Sequence, residues 1–561
     1  MQARGAYFMP TACTLNDMFN QSIERAPRST AIKFYPDAKL PYAYEISYRK
    51  LAVKAWLFAS GLYQLGVRKG DRVAFMLPNC PQAVIVYFAI LKLGAIVVQF
   101  VPNPEGKPED IQRQLDDCGA QFFITLDIFK ENIEKMQRQP AVLILGSILD
   151  YLPFPFNVIK KMQNPPRYAV NYRVHQPFSF LEVMKWRKEF LNTVFPEVKP
   201  DDPAVLQYTS GTMGTPKGAV LTHANLVANV EQLQEWVRDA RYAEEVIMTM
   251  IPLFHSFAMT VCQNFAVKIN AAMILIPKPA DIATVAKALR KYKPTLFPGI
   301  PDLFDVISAY SEKKEKINLS GVRCFSGSTA LSRKILERFE KATDGVIFEA
   351  YGLTEASPAT HCNPLDVRQR KIGSIGYLLP GTQALIVDSE GNVLPDGERG
   401  ELIIRGPQIM RAYWQNQEKT DHIMREYHGK KWLFTGDEAK QDDQGFFYIF
   451  GRIDDGFKVG GEKVCPQEVE EVLFQHPDIA SSCVVNGKDK SGLDYCAAFI
   501  VCKETTIPYD ELKLSIREFC VERLDRRKIP TKIFFVPELP KTVIKKLDRK
   551  VLRAQLAQTP S

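Results

Sequence analysis

Tyr208-Thr-Ser-Gly-Thr-Met-Gly-Thr-Pro-Lys-Gly-Ala-Val-Leu-Thr-His223 is the stretch on which the reading of this chain turns. Ahead of it, Ala204 to Tyr208 has the apolar, β-branched character of a strand. Behind it, Thr222 is placed to cap a helix whose apolar face carries Leu226, Val230, Leu233 and Val237. Between the two lies a loop of three glycines, three threonines, one serine and one lysine. Such a loop offers backbone N–H groups, hydroxyls and a positive charge to phosphate oxygens. It is not the G-x-x-x-x-G-K-[ST] loop, because Pro216 precedes Lys217 and Gly218 follows it. Taken alone, the loop is open to two readings, a phosphate cradle and a mobile turn.

Outward from the loop, short β-branched runs alternate with helical patterns, which predicts α/β layers. Arg72-Val-Ala-Phe-Met-Leu precedes a helix-like Pro81 to Leu93 and then Ala95-Ile-Val-Val. Met273-Ile-Leu-Ile, Asp281 to Lys291 and Thr295-Leu-Phe repeat the alternation. The most apolar stretch, Val84 to Val101, is interrupted by Lys92, Gly94 and Gln99. A span of the bilayer needs about 20 apolar residues, so a buried helix followed by a buried strand is expected there. At 561 residues the chain is too long for a single core, and more than one domain is predicted. The texture changes after about Gly445, where Phe446-Phe-Tyr-Ile-Phe reads as a strand and a glycine-rich turn runs from Gly451 to Gly461. We place a large α/β domain at 1–450 and a small α+β domain at 455–561, with the short stretch 451–454 between them.

The formal charge of +8 suits anionic ligands such as nucleotides, coenzyme A or lipid headgroups, and equally a well-solvated surface. No nucleic-acid partner is indicated. The 11 cysteines, without a C-x-x-C pair, fit a reducing compartment and neither a disulfide framework nor a zinc site. The first residues lack a continuous apolar core of signal-peptide length, which predicts a cytoplasmic protein. Residues 151–175 stand apart: Tyr151, Leu152, Phe154, Phe156, Val158 and Ile159 are joined by Lys160, Lys161, Arg167 and Arg173, and four prolines bar a long helix. This aromatic and basic segment suits either a peripheral contact with the inner face of a membrane or a loop packed on its own domain.

The loop resembles the signature of the adenylate-forming superfamily, which contains acyl-CoA synthetases, luciferases and peptide-synthetase adenylation domains. Tyr351-Gly-Leu-Thr-Glu355, Thr435-Gly-Asp437, Gly451-Arg-Ile-Asp-Asp455 and Pro540-Lys-Thr-Val-Ile-Lys-Lys-Leu-Asp-Arg549 follow in that superfamily's order and spacing. The resemblance covers nearly the whole chain and implies ATP and Mg²⁺ as cofactors. It implies that Thr209, Ser210, Gly211, Thr212, Gly214, Thr215 and Lys217 hold the ATP phosphates. Glu355 would bind Mg²⁺ and Thr354 would touch the phosphates. Gly327, Ser328 and Thr329 would line the adenine, with Tyr351 and Gly352 beneath it, and Asp437 and Arg452 would hold the ribose. Lys546 would be the catalytic lysine, Asp454 the hinge, and His255 and Gly461 would border the acyl and thiol tunnels. Where the superfamily pattern has glycine before that lysine, this chain has Lys545.

Such residue types answer a chemical need. A carboxylate attacking the α-phosphate of ATP brings two anions together, so cations and oriented N–H donors must neutralise both. From Ile251 to Tyr413 the chain is most similar to bacterial long-chain fatty-acid–CoA ligases, which implies a medium- or long-chain fatty acid and coenzyme A as co-substrate. Gly460-Gly-Glu-Lys-Val464 departs from that subgroup and is similar to enzymes that load acyl carrier protein, so the carrier stays open as acceptor. An enzyme that stops at acyl-AMP and a non-catalytic lipid-binding relative are the remaining alternatives.

Overall fold

The computed structural model describes residues 8–103, 106–166, 176–185, 194–209, 217–278, 281–489, 491–503, 507–541 and 547–558. Two large sheets organise the N-terminal domain. In the first, of nine strands, Thr30–Phe34, Ala272–Leu275, Val246–Thr249, Leu296–Gly299, Arg323–Ser326 and Val346–Gly352 run parallel, in the sheet order in which they are named. Antiparallel strands close its two edges. The second sheet, of eight strands, is parallel through Pro203–Thr209, Ile96–Gln99, Arg72–Met76, Phe122–Leu126 and Val142–Gly146. Lys217–Thr222 and Ala412–Tyr413 add antiparallel strands beside Pro203–Thr209.

The apolar stretch at 84–101 is the predicted helix and strand. Helix Pro81–Lys92 begins with proline, whose missing N–H costs nothing in a first turn, and every residue in it except Lys92 is buried. It is apolar on all sides because it packs against helices Leu15–Arg25 and Tyr48–Gln64 as well as strands Arg72–Met76 and Ile96–Gln99. Phe88 stacks on Phe19 at 4.2 Å, and Tyr87 reaches across to accept from Asn264 at 3.1 Å. Thr222 caps helix His223–Trp236, taking the Asn225 N–H at 3.1 Å.

A third sheet of five strands contains Gln383–Val387, Gly400–Arg405, Lys430–Gln441, Met424–Tyr427 and Phe447–Arg452, around a small core of its own. From Phe457 onward, a hairpin (Phe457–Val459 with Glu462–Val464) and a three-stranded sheet form a smaller C-terminal domain with separate apolar clusters. This domain rests on the large one through ion pairs. Lys463 meets Glu438 at 2.8 Å, Arg399 meets Glu468 at 3.6 Å, and Lys541 meets Asp302 at 3.5 Å.

The aromatic and basic segment needs correction in two respects. Tyr151 and Leu152 are buried, because the short turn Ile148–Tyr151 drives Tyr151 edge-on against Tyr44. Lys161 is not an uncompensated cation, since it pairs with the buried carboxylate of Asp150 at 2.7 Å. What faces solvent is Phe154 and helix Phe156–Gln163, which presents Val158, Ile159 and Met162 outward. Arg167 and Arg173 lie outside the described residues.

Candidate active site

The ends of the parallel strands of the first sheet carry the site. Gly327 to Thr329 follow strand Arg323–Ser326, and Tyr351 and Gly352 end strand Val346–Gly352. Gly327 is buried, and a Cβ there would lie 3.3 Å from the Phe257 ring. Ser328 takes a left-handed backbone (φ 76°), a conformation worth about 1–3 kcal/mol of strain that concentrates at ligand sites. At Gly352 no other residue fits, for a Cβ would stand 2.1 Å from the Pro358 carbonyl oxygen.

Tyr351 donates its hydroxyl to Asp437 Oδ2 at 2.5 Å. Asp437 lies on strand Lys430–Gln441, opposite Arg452 on Phe447–Arg452, whose guanidinium sits 3.3 Å from Asp437 Oδ1 and donates to Thr435 O at 2.6 Å. The third sheet thus brings an acceptor and a cation against the end of the first. Behind Tyr351 stands His361, its cross-strand partner, with ring centroids 5.7 Å apart. Burial holds His361 down at about 3, so it remains a neutral backing for the tyrosine ring.

Glu355 follows in the short turn Thr354–Ala356. Its Oε1 accepts from the Tyr413 hydroxyl at 2.5 Å, and Thr354 Oγ1 is 3.3 Å from Ser256 Oγ. Lys217, which opens its strand directly opposite Thr209, places its ammonium 5.3 Å from the Tyr413 ring centroid. Burial, followed by the positive charge of Lys419, keeps the Lys217 ammonium below its usual pKa, while Glu355 opposes the shift. Lys217, Lys419, Arg452, Glu355 and Asp437 therefore share one electrostatic neighbourhood.

The sequence pattern singles out neither Tyr413, Lys419 nor Ser256 as site residues. Tyr413 and Ser256 fall within the 251–413 span that resembles long-chain ligases, which is their sole mark, and Lys419 lies beyond it. Ser210, Gly211, Thr212, Gly214, Thr215 and Lys546 lie outside the described residues. The flanks of the Lys546 loop are described: Lys541 bridges to Leu547, and Lys541 faces Asp302 of the large domain. His255 accepts the Phe257 N–H through Nδ1 at 3.2 Å, a local bond at the start of a helical turn. Asp454 is exposed in the turn Ile453–Asp455, and Gly461 ends the tip of its hairpin with nothing within 4 Å of a Cβ.

The residues fit Mg²⁺ bound mainly through phosphate. Glu355 makes one described hydrogen bond, to one of its two oxygens, and no group of three or more His, Cys, Asp or Glu among the described residues forms a metal cage. Mg²⁺ characteristically takes one or two carboxylates together with substrate phosphates and water.

Two family models match the chain, one for the AMP-binding enzyme over residues 19–414 and one for its C-terminal domain over residues 468–546. The chain belongs to the AMP-binding enzyme family. It is an AMP-forming acid–thiol ligase. The long-chain-fatty-acid–CoA ligase of Bacillus subtilis (strain 168) is 37% identical over 545 residues, 96% of this chain and 94% of the relative. A 4-coumarate–CoA ligase of Pinus taeda is 31% identical over 516 residues, 89% of this chain and 88% of the relative. Among solved structures, the anthranilate CoA ligase AuaEII in complex with anthranoyl-AMP aligns at a TM-score of 0.82 and 27% identity, covering 98% of each chain. In the ligase described here, no helix is long and apolar enough to cross a membrane, as judged on the described residues.

Proposed function

We propose that the ligase activates a medium- or long-chain fatty acid with ATP and transfers the acyl group to coenzyme A. The observation that carries the chemistry is the meeting of Tyr351, Asp437 and Arg452 with Glu355, Tyr413 and Lys217 at the strand ends. The fatty acid is favoured by 37% identity over 96% of the chain to a long-chain ligase.

In this reading the acid's carboxylate oxygen bonds to the α-phosphorus of ATP as the bond to pyrophosphate breaks, leaving acyl-AMP. Asp437 accepts from the ribose hydroxyls, as an anion a stronger acceptor than a neutral group. Thr209, the loop at 210–216 and Lys217 take the β- and γ-phosphates, with Thr354 alongside. Glu355 would hold Mg²⁺, which supplies charge neutralisation on the phosphates when bound. Lys546 stabilises charge on the α-phosphate. The small domain, 455–561, then turns about 451–454 at Asp454, and the thiol sulfur, entering past Gly461 and His255, bonds to the acyl carbon. AMP leaves with the oxygen it shares with the acyl group, and the thiol proton passes to water.

A second reading, an aryl acid as substrate, is favoured by the similarity to 4-coumarate and anthranilate ligases. Pyrophosphate release and thioester formation, measured over fatty acids of graded length, coumarate and benzoate, with coenzyme A and with holo-carrier protein, decide both acid and acceptor. Expected is a preference for fatty acids with coenzyme A, and loss of acyl-AMP formation in Lys546→Ala, a change typically of about 10²–10³ in rate. A tenfold or greater preference for the aryl acids, or for the carrier, replaces the reading.

A further inference from the structure

The C-terminal hairpin pairs Val459 with Glu462, so Gly460 and Gly461 form a two-residue turn. Both have positive φ, 56° and 88°, as the right-handed twist of a tight hairpin demands, and glycine holds both without a Cβ penalty. The tip stands in open space at Gly461. One long side chain reaches its other residue. Arg527, in the segment after helix Tyr509–Val521, donates through Nη1 to the Gly460 carbonyl, and its guanidinium carbon lies 3.4 Å from the position of a Gly460 Cβ.

Two cations near Arg527 in the chain are already paired. Arg523 meets Glu522 at 2.7 Å, and Lys528 meets Glu468 at 3.0 Å and Asp525 at 3.2 Å. Arg527 is exposed, and among the described residues it meets no carboxylate within 4.0 Å; the same holds for exposed Arg526 and Lys458. A guanidinium has five N–H donors in a fixed fork that matches two oxygens of a phosphate. One donor orients Arg527 on the turn, and the others remain for a ligand. Hairpin and arginine belong to the same small domain, so any turn of that domain carries both together.

We propose that Arg527 binds a phosphate of the thiol substrate while the pantetheine arm passes the Gly460–Gly461 turn. This rests on the reading of Gly461 as part of the thiol path. The ligand chemistry is a phosphate ester on pantetheine, supplied either by coenzyme A, with a diphosphate and a 3′-phosphate, or by a carrier protein, with one phosphodiester.

The test compares wild-type, Arg527→Ala and Arg527→Lys enzymes with coenzyme A, dephospho-coenzyme A, pantetheine and holo-carrier protein as acceptors. Arg527→Ala is expected to raise the KM for coenzyme A about tenfold at low salt and less as salt screens the contact, with lysine restoring part of the loss. Pyrophosphate release from acid and ATP stays at the wild-type rate, which reports a folded large domain and intact adenylation. Pantetheine, which lacks phosphate, has the same KM with all three enzymes. Retention of the effect with dephospho-coenzyme A assigns the diphosphate, and its loss assigns the 3′-phosphate. A rise for holo-carrier alone assigns the phosphodiester. Equal rises for pantetheine and coenzyme A overturn the proposal, because Arg527 then only shapes the turn. Thioester formation indifferent to Arg527 with every acceptor overturns it alone, whereas pyrophosphate release with no thioester from any thiol overturns the transfer reading as well.

Discussion

Tyr413 gives one hydrogen bond to Glu355 and lends its ring face to Lys217, so a single side chain touches the acidic and the basic partner of the proposed phosphate site. Among the described residues, Glu355 Oε1 carries the one side-chain bond made to this carboxylate. A hydrogen bond to a charged group contributes about 1.5–3 kcal/mol. Tyr413→Phe is therefore expected to lower kcat/KM for ATP at least tenfold and to raise the Mg²⁺ concentration needed for half-maximal rate, while the KM for acid stays put. Binding of Mn²⁺ to the enzyme–ATP analogue complex, followed by electron paramagnetic resonance, should weaken in parallel. Loss of acid and ATP affinity together would mark Tyr413 as a packing residue. Glu355 and Asp437 were legible in sequence because their short motifs carry them. Tyr413 and Lys419 reach the site only through the pairing of Ala412–Tyr413 with Lys217–Thr222, a contact between residues far apart in the chain.

At the scale of elements, helix Phe156–Gln163 is confined between Pro155 and Pro165, as the prolines predicted. Val158, Ile159 and Met162 lie on one exposed side, with Phe154 just before them. A helix of this pattern lies in the plane of a bilayer interface with its apolar side down. We expect vesicles containing anionic lipid to sediment the enzyme and added salt to weaken the binding. Val158→Asp with Met162→Asp should abolish sedimentation without reducing pyrophosphate release from a short, soluble acid. Because Lys161 is held by Asp150, Lys160→Ala should weaken binding more than Lys161→Ala. Sedimentation unchanged by the double aspartate variant removes this helix from the contact. Sequence pattern set the segment apart, but the burial of Tyr151 and Leu152 was decided by packing against Tyr44 and the apolar core of the large domain.

Over the whole molecule, the two domains meet through facing carboxyl groups as well as ion pairs. Burial, with Glu471 of the small domain adding to it, pushes the Glu349 carboxyl of the large domain up to about 8; a bond from the Gly373 N–H opposes the shift. Burial also raises Glu471, which accepts the Arg333 N–H. The folded state thus holds protons that the unfolded chain has released once pH exceeds the ordinary glutamate value of about 4.3. Stability contributed by the protonated group is full below that value and falls as pH rises toward 8. Thermal melting between pH 6 and 8 should accordingly shift downward with pH, and Glu349→Gln should flatten the slope. An unchanged slope would place the titration elsewhere.

The sequence by itself determined the α/β class, the family and which short motifs carry the candidate site residues, because hydrophobic period and local loop chemistry need only neighbours along the chain. Only the tertiary structure decided which side chains gather around Lys217 and Glu355, that Tyr151 and Leu152 are buried, and that Arg527 lies on the Gly460 turn. Those contacts join residues separated by tens to hundreds of positions, as Arg527 and Gly460 are by 67. Their free energy depends on distance and burial in three dimensions, which no local pattern of residues encodes.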